Sequence, residues 1–212
     1  MRLYLASTSP ARLALLRQSG IEPLTVSPDV DEDAVAVAAA GRTGAALAPV
    51  QLVELLARAK AEAVLGEHID GLVLGGDSVF VIDDVIYGKP HTPEKARERW
   101  LMQRGRTGVL YSGHWLVEHV DGRAGRAVGA VAQASVTFAD DIQDAELDAY
   151  IATGEPLFVA GAFTIDSLGA PFISRIDGDP STVVGLSLPT LRRLVRALGY
   201  DWPSLWNRPG SI

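Results

Sequence analysis

The sequence predicts an α/β protein built as one unit with a cleft, and three observations carry that reading. Short apolar runs alternate with segments that begin on helix-capping residues, and the stretch Leu72 to Pro90 reads as a strand running into a tight hairpin. The chain's 212 residues are enough to bury a substantial core. With 48% apolar and 21% charged residues and no long biased tract, the composition is that of an ordinary folded protein, and a single domain over residues 1–212 is expected.

Taken in order, residues 2–6 read as a first buried strand. Ser7-Thr8-Ser9-Pro10 then opens a helix, with Ser9 as N-cap and Pro10 at the first helical position, and Gly20 stops it. Arg12 falls in that first turn, where the helix dipole disfavours a cation. Two readings stand: a solvated arginine, or a phosphate site formed by Arg12, the hydroxyls of Ser7 and Ser9 and the free amides. Leu24 to Val26 forms a short second strand. After it, Ser27 to Asp33 packs four acids into seven positions, either a solvated loop or a source of hard oxygen ligands for a divalent cation. The alanine- and glycine-rich stretch 34–48 reads as a flexible connection.

Pro49 to about Leu65 has the apolar stripe of a helix, with Lys60 continuing the ridge of Leu52 and Leu56. That lysine either snorkels past the core edge or reaches an anion in the cleft. In the central stretch, Leu72-Val73-Leu74 and two glycines deliver one carboxylate, Asp77, with Ser78 beside it. The hairpin that follows folds Gly88-Lys89-Pro90 back toward the acid.

Thr92-Pro93 starts another helix, ended by the basic turn Gln103 to Thr107. Strands near 108–120 and 126–139 flank Asp121-Gly122-Arg123 and pair antiparallel. His114 and His119, five apart on one strand, point to opposite faces and do not share a metal. A short helix at 144–153, a strand at 172–176, a turn at 177–180 and a last amphipathic helix near 188–198 complete the chain. Small residues crowd the region between 160 and 187, which suits close backbone approach.

Composition excludes several functions. The net charge of −7 argues against gripping a nucleic-acid backbone, and the absence of cysteine removes disulfides, thiolate metal sites and thiol nucleophiles. The N-terminal apolar run is too short for a signal-peptide core and no stretch approaches the roughly 20 apolar residues of a membrane span, so a cytoplasmic location without membrane partners is expected. Walker A, HExxH, GxSxG and GxGxxG patterns are missing. What remains is a set of acids (Glu32, Asp77), bases (Arg12, Lys60, Lys89) and small hydroxyls (Ser7, Ser9, Ser78) at strand ends and helix starts. That is the equipment of a metal-assisted phosphate site.

The ordered series Leu5-Ala6-Ser7-Thr8-Ser9-Pro10-Ala11-Arg12, Val30-Asp31-Glu32, Ala59-Lys60-Ala61, Gly75-Gly76-Asp77-Ser78, Gly88-Lys89-Pro90, Gly154-Glu155-Pro156, Ala160-Gly161-Ala162-Phe163, Asp177-Gly178-Asp179 and Val184-Gly185-Leu186 resembles the Maf proteins. Those proteins are nucleoside triphosphate pyrophosphatases, also described as septum-formation inhibitors. Each fragment is weak alone, but their order is specific and spans nearly the whole chain.

The resemblance implies a Maf/ITPase-like fold, with a mixed, twisted sheet, flanking helices and two lobes around a nucleotide-binding cleft. It implies a nucleotide diphosphatase that releases monophosphate and pyrophosphate with Mg²⁺ or Mn²⁺, and a homodimer of the kind many members form. Carried over by position, Asp77 is the general base and a metal ligand, Glu32 a metal-side carboxylate, and Arg12, Lys60 and Lys89 the triphosphate clamp. Ser7, Ser9, Ser78, Glu155 and Asp166 are placed on the substrate side.

Four positions depart from the family pattern: Ala11 for an arginine, Ser78 for threonine, Val159 for lysine, and Asp166 for the glutamine of the pyrimidine-preferring subgroup. An ionised aspartate accepts hydrogen bonds but donates none, so the edge offered to a base differs, and no base is assigned. Removal of canonical or modified nucleotides from the pool, linked to arrest of cell division, is the leading expectation. The alternative is a non-catalytic nucleotide-sensing or partner-binding protein acting in division.

Overall fold

The first strand, β1 (Leu3–Ala6), is buried at every position in the computed structural model, which describes residues 1–207. A continuous apolar run is what a strand covered on both faces requires. Helix α1 (Pro10–Gln18) follows on the expected cap, the Ser9 side chain accepting from the Arg12 amide, and the chain leaves it through Gly20 at φ +84°. Strand β2 (Leu24–Val26) returns parallel to β1.

The stretch expected to be a flexible connection is largely helical. Helix α2 (Glu32–Thr43) starts on Asp31, whose carboxylate accepts from the Ala34 amide, and ends on Gly44 in the left-handed conformation. Alanine is the strongest helix former and acids favour the first turn, so the alanine run outweighs its lone glycine. Helix α3 (Pro49–Ala63) buries Val53, Leu56, Ala57, Lys60 and Ala61.

Strand β3 (Gly71–Ile82) pairs parallel with β1, Leu5 opposite Leu74 and Ala6 opposite Gly75. Asp83 and Asp84, both at positive φ, then turn the chain into β4 (Val85–Tyr87), antiparallel to β3, as the hairpin pattern predicts. Helix α4 (Pro93–Gln103) is capped by Thr92, and strands β5 (Thr107–Val120) and β6 (Arg123–Phe138) follow. Helix α5 (Asp144–Ala152), strand β7 (Ile173–Gly178) and helices α6 (Pro180–Val184) and α7 (Leu188–Ala197) complete the order. Asp177 and Gly178, expected in a turn, end β7 instead, paired with Ser135 and Ala134 of β6.

The result is a mixed sheet in the order β2-β1-β3-β5-β6-β7, with β4 added on β3, and helices flanking it. The chain forms two compact units, one of Met1–Asp77, Ser112–Ala132 and the segment from Gly185 onward, the other of Ser78–Tyr111 and Gln133–Val184. In the first, Tyr4, Ala6, Ala61, Val64, Ile69, Val73 and Val117 pack together. The second has an aromatic core in which Phe80, Trp100, Phe138 and Phe163 meet edge to face. Among the described residues no helix is long and apolar enough to cross a membrane.

Candidate functional site

The site in the first unit starts from a glycine. A Cβ on Gly75 would lie 2.0 Å from the Ala57 carbonyl oxygen, so only glycine lets α3 lie this close to β3. Asp77 is two residues beyond Gly75 and shares its face of the strand; Lys60 is three beyond Ala57 and shares its face of the helix. The close approach therefore sets Lys60 over Asp77. Its Nζ donates to Asp77 Oδ1 at 2.7 Å and pairs with Glu32 Oε1, from the first turn of α2, at 2.8 Å. Lys60 and Asp77 are each 7% exposed, while the Glu32 side chain remains half exposed. The snorkelling reading of Lys60 is thereby corrected.

The solvated reading of Arg12 is corrected as well. The side chain is buried, its Nε donating to the Gly185 carbonyl at 2.8 Å and its Nη1 to Ser7 Oγ at 3.1 Å. Ser7 Oγ also accepts from the Ser9 amide. Gly76 faces the opposite way from Gly75, and its missing Cβ, which would lie 3.2 Å from Arg12 Nε, leaves room for the guanidinium. Burial pulls the Arg12 pKa below its ordinary value, and Asp77 and Glu32 offset part of that pull. Ser7, Ser9 and Arg12 thus form one hydrogen-bonded group whose guanidinium lies in the field of the Lys60, Asp77 and Glu32 group.

This donor set is chemically consistent with coordination of a hard divalent cation. Among the described residues no three His, Asp or Glu side chains form a metal cage. Two carboxylate oxygens nevertheless converge on one positive atom, and Mg²⁺ ordinarily takes one or two carboxylates with phosphate oxygens and water completing the shell. Of the acids at 29–33, Asp31 serves as a helix cap and Glu32 joins Lys60.

Four predicted residues belong to the second unit. Ser78 is half-buried on β3, and Lys89 lies exposed beyond the last hairpin pair, Phe80 with Tyr87. The neighbouring Gly88 carbonyl accepts from Arg99, whose guanidinium stands over the Tyr87 ring. Glu155 is an organising centre. Its carboxylate accepts from Thr164 Oγ1 at 2.5 Å, Ser167 Oγ at 2.7 Å, Tyr150 Oη at 3.0 Å and the amides of Gly169 and Leu168. Burial pushes the Glu155 pKa up, but these hydrogen bonds together outweigh it and hold the group below its ordinary value. Asp166 is exposed within the loop so held. A hollow of about 360 Å³ beside Tyr87, Lys95, Arg99 and Met102 contains none of the predicted residues.

Sequence reasoning missed the Gly185 carbonyl and the donors Tyr150, Thr164 and Ser167. A backbone acceptor leaves no side-chain signal, and hydroxyls scattered from Tyr150 to Ser167 show no spacing rule. His114 and His119 do part company as predicted, Nδ1 of one near the Ala130 carbonyl and Nδ1 of the other near that of Ile69.

Comparison with known proteins adds to this geometry. A family model described as "Maf-like protein" matches residues 2–198. The chain is 67% identical over 214 residues to a nucleoside triphosphate pyrophosphatase of Leifsonia xyli subsp. xyli, covering 99% of both chains. It is 47% identical to a protein of the same name from Corynebacterium diphtheriae, over 98% of this chain and 99% of that one. A third, from Nocardia farcinica, is also 47% identical, over 98% of this chain and 97% of the relative.

Proposed function

Because the chain belongs to the Maf-like protein family, we propose that it hydrolyses nucleoside triphosphates to the monophosphate and pyrophosphate. The observation that carries the reading is Lys60 Nζ held between Asp77 and Glu32, with Arg12 buried in the field of both acids.

Asp77 is the base. Lys60 engages Oδ1, fixing the carboxylate's orientation and leaving Oδ2 to take a proton from water as it attacks the triphosphate between its α- and β-phosphates. Arg12, with its plane set by Ser7 and Gly185, binds phosphate oxygens and stabilises charge that develops on the leaving pyrophosphate. Lys89 supplies a second clamp from the chain beyond the hairpin. Glu32 and Asp77 are the residues that would hold a divalent cation, and the chemistry it would supply is neutralisation of phosphate charge. The family resemblance assigns Ser78 and Asp166 to the substrate side, Asp166 on the loop held by Glu155. A cytoplasmic enzyme acting on the nucleotide pool, with consequences for cell division, is the role that follows.

The test is incubation with a panel of nucleoside triphosphates and Mg²⁺ or Mn²⁺, reading pyrophosphate. Asp77→Asn is expected to lower the rate by about 10²-fold or more, the ordinary worth of a general base. No pyrophosphate from any member of the panel, or an undiminished rate in the variant, rejects the assignment. The departures at Ala11, Ser78, Val159 and Asp166 favour one competing reading, a nucleotide sensor. Calorimetry separates the two, since a sensor binds triphosphate and returns it intact.

A further inference from the structure

His114 takes no part in the chemistry above, yet it is wholly buried on β5, at 0% exposure. Its Nδ1 lies 3.3 Å from the Ala130 carbonyl oxygen, which only accepts, so Nδ1 carries the proton. Its Nε2 accepts from the Ser187 backbone N–H at 2.8 Å. The two partners fix one neutral tautomer, because a second proton on Nε2 would face a donor.

The second of these bonds lands on a critical segment. Ser187 is the N-cap of α7, its Oγ accepting from the Thr190 amide at 3.2 Å. Leu186 before it is fully buried. Gly185, next again, sits at φ +111° outside any helix or strand, and its carbonyl is the acceptor for Arg12 Nε. No regular ladder sets the direction of that carbonyl; the anchors of the segment do.

We propose that His114 is a positioning residue for Arg12, acting through Ser187 and Gly185. By pinning the Ser187 amide, it holds the Gly185 carbonyl where that oxygen fixes the plane of the guanidinium, and so sets the orientation in which Arg12 meets phosphate. The substrate half of the proposal rests on Arg12 as triphosphate clamp; the structural half does not.

Two variants separate the bonds. His114→Asn keeps a donor near the Ala130 carbonyl but is too short to accept from Ser187, whereas His114→Gln reaches Ser187 with an amide oxygen. The direct readout is the Arg12 Nε–H resonance in a ¹H–¹⁵N spectrum, identified by its loss in Arg12→Lys. In the Asn variant that resonance should shift toward the free-arginine position and exchange with solvent about 10-fold faster, and in the Gln variant it should stay near its original place. KM for nucleoside triphosphate should rise about 10-fold in His114→Asn with kcat nearly constant, and recover in His114→Gln.

An unchanged Arg12 resonance in folded His114→Asn overturns the proposal whatever the kinetics. A shifted resonance with unchanged KM, in an enzyme that still releases pyrophosphate, overturns Arg12 as clamp while leaving the pyrophosphatase reading intact. If His114→Asn fails to fold, as its thermal transition would show, His114→Leu makes the same comparison against the Gln variant.

Discussion

Lys60 occupies a position in which its charge is both costly and needed. Removing an ammonium and a carboxylate from water costs several kcal/mol per ion, and only close geometry with further partners offsets it. Asp77 at 2.7 Å and Glu32 at 2.8 Å provide that geometry. Lys60→Met should therefore destabilise the protein by about 3 kcal/mol in urea denaturation, because Asp77 is left buried without its cation. Lys60→Met with Asp77→Asn should cost clearly less than the two single losses added, and strict additivity would show that the pair is not coupled. Neither residue's burial was legible from local sequence. Lys60 lies on an apolar ridge where either outcome is compatible with the pattern, and Arg12 is held by a backbone carbonyl 173 residues away. Caps were legible because their hydrogen bonds span three residues: Ser9 and Thr92 sit where their types and the following prolines place them.

At the scale of elements, the Gly75 approach of β3 to α3 is the feature that assembles the site. Gly75→Ala places a methyl 2.0 Å from the Ala57 oxygen, so the strand and helix must separate. The expected loss is about 3 kcal/mol in urea denaturation, with pyrophosphate release falling in parallel as Lys60 leaves Asp77. Retained stability and rate would show that the contact is dispensable. The loop gathered around Glu155 gives a pH prediction. Its folded pKa lies below the ordinary value of 4.5, so its contribution to stability is fully present above that value and is lost as pH falls through the lower, folded one. Tm measured from pH 7 to pH 3 should fall less steeply on the acid side in Glu155→Gln than in the parent protein. Equal slopes would contradict the role given to this carboxylate. The pattern of strands and long helices was readable from apolar runs and caps. Helix α2 was not, because the alanine run resembles a linker in composition while having a helix's propensity.

At the scale of the whole molecule, the division into two units leaves little mark in the sequence, and the reason is physical. Three of its four boundaries, at Asp77 and Ser78, Tyr111 and Ser112, and Ala132 and Gln133, fall inside strands β3, β5 and β6, where no linker is needed, and only the fourth, at Val184 and Gly185, lies between elements and at a glycine. The site's residue types were legible as a set, but not their places. Asp77 and Ser78, expected at a strand's tip, lie inside β3, because β3 runs on past the two glycines to Ile82, and Lys60 is in the last turn of α3. The distances come from packing that residue order does not encode. Base preference belongs to the same scale. An exposed Asp166 on the loop organised by Glu155 offers only acceptors when ionised. Asp166→Gln should therefore redistribute relative rates across a nucleotide panel, and an unaltered profile would remove the residue from base recognition. The central claim, hydrolysis between the α- and β-phosphates with Asp77 as base, is tested most directly by ³¹P NMR of the products formed by the parent protein and by Asp77→Asn. The expected result is equal amounts of nucleoside monophosphate and pyrophosphate from the parent and almost none from the variant; orthophosphate with nucleoside diphosphate, or equal turnover by both proteins, would contradict it.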